Sequence, residues 1–428
     1  MMWLAVSVLL VFGSCPILCG LTTTIYITPT NATNPECPRD YPCVTLDHLA
    51  VFQLPKLSHT ASVKLILLEG VHISTVMMEF VSIRHIVMTG PLSIVSDLEY
   101  PRTLIQLLSS NITVSETSSL EIKNLAVDGN SHSVLMMKKN SGSWSILFHQ
   151  VTMLGIILQV LPLSNCVASK VNITSALFSM SRIEMNYGTY VICETENVQH
   201  ASSSMVSFKS IRFLTKRRRQ PNTIMICSPD YWESQPLRVE LDNVTVIDLN
   251  DSLANTILLP YICDKPTSPS DIYVSSSDVE MTVTNSQFRG THGTAIHAKN
   301  LHFKIINCTF SGYTLGALVF DDAFRLFLLI DNTVVVNNMI KAGGLAAAGL
   351  MVSSSGTIAI TNCLFYGNVD LNGNSQIIKL MGVNQAKVHN SKFMGNNGTV
   401  INAEHTTLTF SGMVTFESNS AHEGGALY

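Results

Sequence analysis

Chemistry, if this chain performs any, has few side chains to work with. Lys, Arg, Asp and Glu make up only 13% of the 428 residues, and two spots cluster groups of the kind used in acid and base work. One is the carboxylate pair Asp321-Asp322; the other is His292 within Thr291-His292-Gly293. Glycoside hydrolysis needs two carboxylates converging on one groove, one to protonate the leaving oxygen and one to act as base or nucleophile. Adjacent Asp residues on a strand point to opposite faces. No third acidic residue lies at a matching position nearby, and His292 falls in a Gly-rich turn. A lyase would need a basic catalyst with acidic calcium ligands on neighbouring elements, and the acidic residues here are scattered. Ser-His-Asp and Gly-rich phosphate signatures are absent, and His149, His200, His297 and His302 read as turn or surface positions rather than ligands. The residues predict a chain that is not an enzyme and carries no cofactor. The competing class is a polysaccharide lyase or glycoside hydrolase, to be recognised by a groove gathering two or more carboxylates within about 10 Å.

The cysteines suit an oxidising compartment. Cys15 and Cys19 fall in the N-terminal apolar segment, and the remaining eight form an even set. Cys37 and Cys43, six apart in a Pro-rich stretch, are the expected disulfide. Cys166, Cys193, Cys227 and Cys263 allow two more bridges in any of three pairings. Without CxxC or HxxxH spacing, no metal site is expected. The net charge of −4 argues against nucleic acid as a partner. Lys216-Arg217-Arg218-Arg219 is one compact basic run, read as a solvated loop, with a polyanion contact or a processing site as the alternatives. The acceptor pattern N-x-S/T makes Asn31, Asn111, Asn172, Asn243, Asn250 and Asn397 glycosylation candidates. Asn307 carries the same pattern but is expected to be buried and unmodified.

The elements that must position these groups are written in a repeat. An aliphatic residue is followed two positions later by Asn and three positions after that by a large apolar residue, often with Gly two beyond. Ile122, Asn124 and Val127 fit it, as do Val283, Asn285 and Phe288; Ile305, Asn307 and Phe310; Ile330, Asn332 and Val335; Ile360, Asn362 and Phe365; and Val388, Asn390 and Phe393. Looser copies run through Asn243, Ser210 and Gln150. From Asn285 the next copies centre on Asn307, Asn332, Asn362 and Asn390, a spacing too short for a propeller blade and too variable for a helical hairpin array. Short runs rich in Val, Ile, Thr and Phe between Gly, Asn and Ser read as strands and turns.

Stacked turns of a parallel β-helix explain these residue types. Coils lie ~4.8 Å apart, so equivalent positions form interior columns of Ile, Val and Phe. Asn tolerates left-handed φ at a tight bend and bonds along the column. A second repeat follows: Phe288, Phe310 and Phe393 each precede, by seven positions, a compact Ala295, Ala317 or Val400 after a Gly-containing bend. Cys308 and Cys363 occupy one repeat position two coils apart. That separation, about 10 Å, exceeds what a disulfide spans, so they are not expected to pair.

The run Phe416-Glu417-Ser418-Asn419-Ser420-Ala421 with Gly424-Gly425-Ala426-Leu427 resembles the F-x-x-N-x-A…G-G-A-[IL] repeat of polymorphic outer-membrane-protein-type β-helix adhesins. Tyr26-Ile27-Thr28-Pro29, Cys37, Pro42-Cys43-Val44-Thr45-Leu46 and the run from Leu65 to His72 resemble the head of their invertebrate ectodomain relatives. The resemblance implies a non-catalytic extracellular surface or adhesion role. The stretch from about 160 to 280 departs from it, leaving the register there open.

Residues 1–20 read as a signal peptide, with a membrane anchor as the alternative. Residues 21–60 read as a Cys-containing N-terminal segment with a cap helix over 44–54, its apolar seam made by Leu46, Leu49, Ala50 and Phe52; 61–428 are the solenoid. The chain stops inside its best repeat copy, so further coils are expected beyond Tyr428, where an anchor would place the protein at the cell surface; dimerisation through that edge is the alternative. The sequence thus predicts an all-β, single-stranded right-handed parallel β-helix with a short N-terminal cap. It would be secreted and glycosylated, would contact an extracellular protein or glycan, and would not span the membrane beyond the signal segment.

Overall fold

A computed structural model describes residues 22–30, 43–57, 62–91, 102–108, 110–138, 144–163, 169–179, 182–187, 205–215, 222–227, 237–248, 270–291, 293–340, 347–371, 376–421 and 426–427. Its strands pair with the coil above and the coil below in parallel ladders, the arrangement expected of a right-handed β-helix. Each full coil contributes three strand segments, one to each face of the stack.

The first face carries the segment before the repeat Asn. Its inward column runs Phe148, Ile173, Phe208, Leu241, Val283, Ile305, Ile330, Ile360 and Val388, each the direct partner of the next. The stretch of open register therefore continues the ladder without a break on this face. Pairing ignores chain length between coils. Leu241 partners Val283 as closely as Val283 partners Ile305, although the chain joining the first pair is nearly twice as long.

A tight bend separates the first face from the second, and it takes left-handed φ at Asn124, Gln150, Ser210, Asn243, Asn285, Asn307, Asn332, Asn362 and Asn390, with φ between 46° and 54°. Ser175 does the same at 52°. A short polar side chain that tolerates this region is what the backbone requires there. Asn307 Nδ2 donates to Asn285 Oδ1 at 2.8 Å and Asn332 Nδ2 to Asn307 Oδ1 at 3.4 Å. Asn362 breaks the file by donating to Asp331 Oδ1 at 3.0 Å. Asn307 is exposed, not buried as expected, because its bend lies on the outer corner of the coil.

The residue after this Asn faces inward. Val244, Cys308 and Cys363 donate their backbone N–H to the Oγ of Ser286, Thr333 and Ser391 one coil on. Cys308 and Cys363 are buried free thiols with the Thr333 coil between them, as the repeat geometry requires.

The second face is built on the apolar residue three after the Asn. Phe288 stacks on Phe310 at 5.0 Å, and Phe365, Phe393 and Phe416 stack in turn at 5.2 and 5.1 Å. Each such pair adds about 0.5–1.5 kcal/mol beyond area burial. Gly290 follows Phe288 because the ring of Tyr313, fully buried, lies where a Cβ would stand, 2.3 Å from Cε1. A second column, of buried asparagines, closes this face at Asn338, Asn368 and Asn396. The third face begins with the compact residues of the second repeat, and Ala295, Ala317 and Val400 are all fully buried.

The N-terminal end is covered by helical turns Leu46–His48, Leu49–Gln53 and Leu54–Leu57, the middle one π-helical. Thr45 caps them by accepting the His48 N–H. Asp47 ties the cap to the stack, accepting Ser74 Oγ, Thr75 N and Thr75 Oγ1 at 2.8–3.1 Å. Leu46, Leu49 and Leu54 enter the core. Phe52 instead stands 56% exposed. Helical spacing of three to five places 46, 49 and 54 on one side and turns 52 away. The Thr22–Ile27 strand, N-terminal to the cap, pairs directly with Ser62–Leu67 and so belongs to the stack itself.

Candidate functional site

The outer side of the first face presents three rows of side chains, each spaced by the coil repeat of ~4.8 Å. In one row Arg238, Glu280, His302 and Phe327 are successive Cα partners. In the next, Glu240, Thr282 and Lys304 stand in line. These rows line a shallow groove of ≈ 390 Å³.

The sequence aims these groups by alternation. Val239, Leu241, Met281, Val283, Phe303 and Ile305 fill the interior, which turns the residues between them outward. The Arg238 guanidinium lies 3.6 Å from the Glu280 carboxylate and both are exposed, so the pair orients its members more than it stabilises the fold. Phe327 is 39% exposed and stacks on the His302 ring, centroids 6.2 Å apart and planes 29° apart. Glu240 and Glu280 are diagonal neighbours on adjacent coils, with Cα atoms roughly 8 Å apart by strand geometry. The third row continues outward with Lys209 beside Asp242. The amide of Asn285, and then the hydroxyl of Thr284, hold the Asp242 carboxyl below the usual carboxylate range.

A separate pair sits on the third face. His297, expected as a turn or surface residue, is a strand residue only 3% exposed, with Nε2 at 2.9 Å from Asp321 Oδ1. Burial alone would raise the Asp321 carboxyl, but His297 together with the nearby Lys299 charge and a backbone N–H outweighs it and holds the group below its ordinary range. No period-based signal separates an outward strand position that stays open from one that becomes covered. His302 is a surface residue as expected, although it lies on a strand, and His149 lies on a strand with Nδ1 at 2.9 Å from Thr174 Oγ1.

Of the predicted glycosylation positions, Asn243 and Asn397 are exposed, and Asn111 and Asn172 half-buried. Asn111 Oδ1 accepts the Val134 N–H at 2.8 Å, which ties that amide into the stack. Asn31, Asn250, Cys37, Cys166, Cys193, Cys263, His200, His292, residues 1–20 and the basic run Lys216, Arg217, Arg218 and Arg219 lie outside the described residues, as do the side chains of Cys43, Cys227 and Asp322. Among the described residues no group of three His, Cys, Asp or Glu is placed to hold a metal ion, and no helix is long and apolar enough to cross a membrane. The groove residues Arg238, Glu240, Glu280, Lys304 and Phe327 were not singled out by sequence. Their signal was available once the register was fixed, since each stands three or five positions before a bend Asn.

A family model described as right handed beta helix region matches residues 269–427. No curated protein matches the chain. Among solved structures, a GH136 lacto-N-biosidase from Eubacterium ramulus is similar at 9% identity, covering 92% of this chain and 67% of that one, with a TM-score of 0.41. An endo-xylogalacturonan hydrolase from Aspergillus tubingensis is similar at 11% identity, covering 94% of each chain, with a TM-score of 0.25. The A-module of a mannuronan C-5 epimerase from Azotobacter vinelandii is similar at 10% identity, covering 85% of this chain and 90% of that one, with a TM-score of 0.22. These proteins are enzymes, which overturns the expectation that this chain is not one: the fold gives no ground for excluding catalysis. At such identities the likeness concerns the fold alone and assigns this chain no reaction.

Proposed function

We propose that this β-helix is a secreted protein that contacts carbohydrate, holding a short oligosaccharide in the outward groove between Arg238 and Phe327. The observation that carries the reading is the composition of that groove. The ring of Phe327, 39% exposed and stacked on His302, stands in one row with the Glu280 carboxylate and the Arg238 guanidinium, and the Glu240 carboxylate stands in the next row. Sugar rings present one apolar face for an aromatic platform and vicinal hydroxyls for planar charged groups. Three coil steps separate Arg238 from Phe327, roughly 14 Å, long enough for more than one sugar ring. Export agrees with the apolar N-terminal segment, the even cysteine set and the exposed acceptor asparagines Asn243 and Asn397.

A glycan-array screen of the purified chain tests this, with Phe327→Ala as the control for the groove. Binding to a defined oligosaccharide that falls about 10-fold or more in the variant supports the reading, because truncating a side chain that anchors a contact costs about 2 kcal/mol or more. Absence of any glycan binding, or binding indifferent to Phe327, would overturn it.

A second reading, hydrolysis of the bound glycan, is favoured by one feature. Glu240 and Glu280 share the groove on adjacent coils and so meet the two-carboxylate criterion at backbone level. Release of reducing ends from an array-positive oligosaccharide, abolished by Glu240→Gln, would establish it; intact oligosaccharide after prolonged incubation would remove it.

A further inference from the structure

We infer that the groove selects neutral oligosaccharides over acidic ones, an inference that rests on reading the groove as a carbohydrate site. The argument is the placement of charge. On the first row Arg238 faces Glu280 on the next coil at 3.6 Å. On the second row Glu240 and Lys304 flank Thr282, one coil to either side. On the third, Lys209 partners Asp242, which also accepts from Thr284 and Asn285. The groove's two cations, Arg238 and Lys304, are thus equalled in number by its two carboxylates, Glu240 and Glu280, and the third row, beside the groove, keeps the same balance.

Capture of a uronate or sulfate needs cations in excess, because bidentate pairing with an anion requires donors not already facing a carboxylate. Here the ligand's own charge would meet Glu240 and Glu280 on the groove wall, and the repulsion grows as water is expelled. An uncharged ring meets no such term. Its hydroxyls can donate to Glu240 and Glu280 and accept from Arg238 and Lys304, while its apolar face rests on Phe327.

The test compares pairs of oligosaccharides of equal length that differ only in oxidation at C6, hexosyl against hexuronyl. The full chain is titrated by calorimetry at pH 8, where an ordinary histidine is neutral. The neutral member is expected to bind about 10-fold or more tightly, and Glu240→Gln with Glu280→Gln should close that gap by strengthening the acidic member. If the double variant does not fold by circular dichroism, Glu240→Gln alone carries the comparison. Equal or tighter binding of the acidic member by the native chain overturns the inference and leaves the carbohydrate reading standing. Binding of neither member, together with a blank array, removes the reading and the inference with it.

Discussion

Asn338 Nδ2 donates to Asn368 Oδ1 across 3.1 Å, and both side chains are fully buried. The backbone N–H of Asn338 reaches the same oxygen at 3.1 Å. Asn368 repeats both bonds to Asn396 at 3.0 and 3.1 Å, and Asn396 repeats them to Asn419 at 3.0 and 2.8 Å. Each amide sends its other proton to a carbonyl of a preceding coil, at Phe310, Val335, Phe365 and Phe393. A column of polar groups thus stands inside an apolar stack with its donors and acceptors met.

Replacing Asn368 by Ala would strand the Asn338 N–H, the Asn338 Nδ2 and the Val335 carbonyl in the interior. Each unmet buried group costs about 1–3 kcal/mol, so a loss of about 3 kcal/mol or more is expected. The urea unfolding midpoint of the variant against the native chain measures it. A loss under about 1 kcal/mol would mean that the column is not what satisfies these groups.

Asn307 separates bend strain from ladder bonding. Asn307→Ala and Asn307→Gly both lose the 2.8 Å bond to Asn285, but only Ala must hold a Cβ at a φ of 54°. The left-handed region costs an ordinary residue about 1–2 kcal/mol and Gly almost nothing. Thermal unfolding should rank the native chain above Gly and Gly above Ala. An Ala variant as stable as the Gly variant would show that the bend tolerates any residue.

Alkaline pH should weaken the stack through the thiols of Cys308 and Cys363. Burial pushes Cys308 up from 9.0 to about 11 and Cys363 up to about 12. The folded chain therefore keeps both protonated where the unfolded chain ionises. Stability from this source is complete below about pH 9 and is lost as pH rises from there through 11 and 12. Folded protein at pH 8 should resist alkylation at both positions and react only on unfolding. Cys308→Ser with Cys363→Ser should flatten the alkaline limb of the stability curve, and an unchanged limb would count against the thiols as its cause.

The fold was legible because its signal is positional. Asn recurs where the backbone needs left-handed φ, and Phe288, Phe310, Phe365 and Phe393 recur where interior columns need bulk. The buried amide column was half visible. Asn338, Asn368 and Asn396 each lie six positions after a bend Asn, and Asn419 three after Phe416, but a polar residue within a turn reads as surface until stacking is known. The groove was not legible. Arg238, Glu280, His302 and Phe327 are widely separated in the chain and become neighbours only once each coil is laid on the last. His297 departs from its expected place for a related reason, since alternation tells outward from inward and not open from covered.

The stack counts coils and not chain length. Leu241 meets Val283 across a long stretch of sequence as readily as Val283 meets Ile305 across a short one. Peptides inserted at the corners would therefore lengthen the chain without shifting the pitch of the outer rows. The same scaffold could then display changing ornaments around a fixed groove, much as a rack keeps its spacing whatever is hung from it.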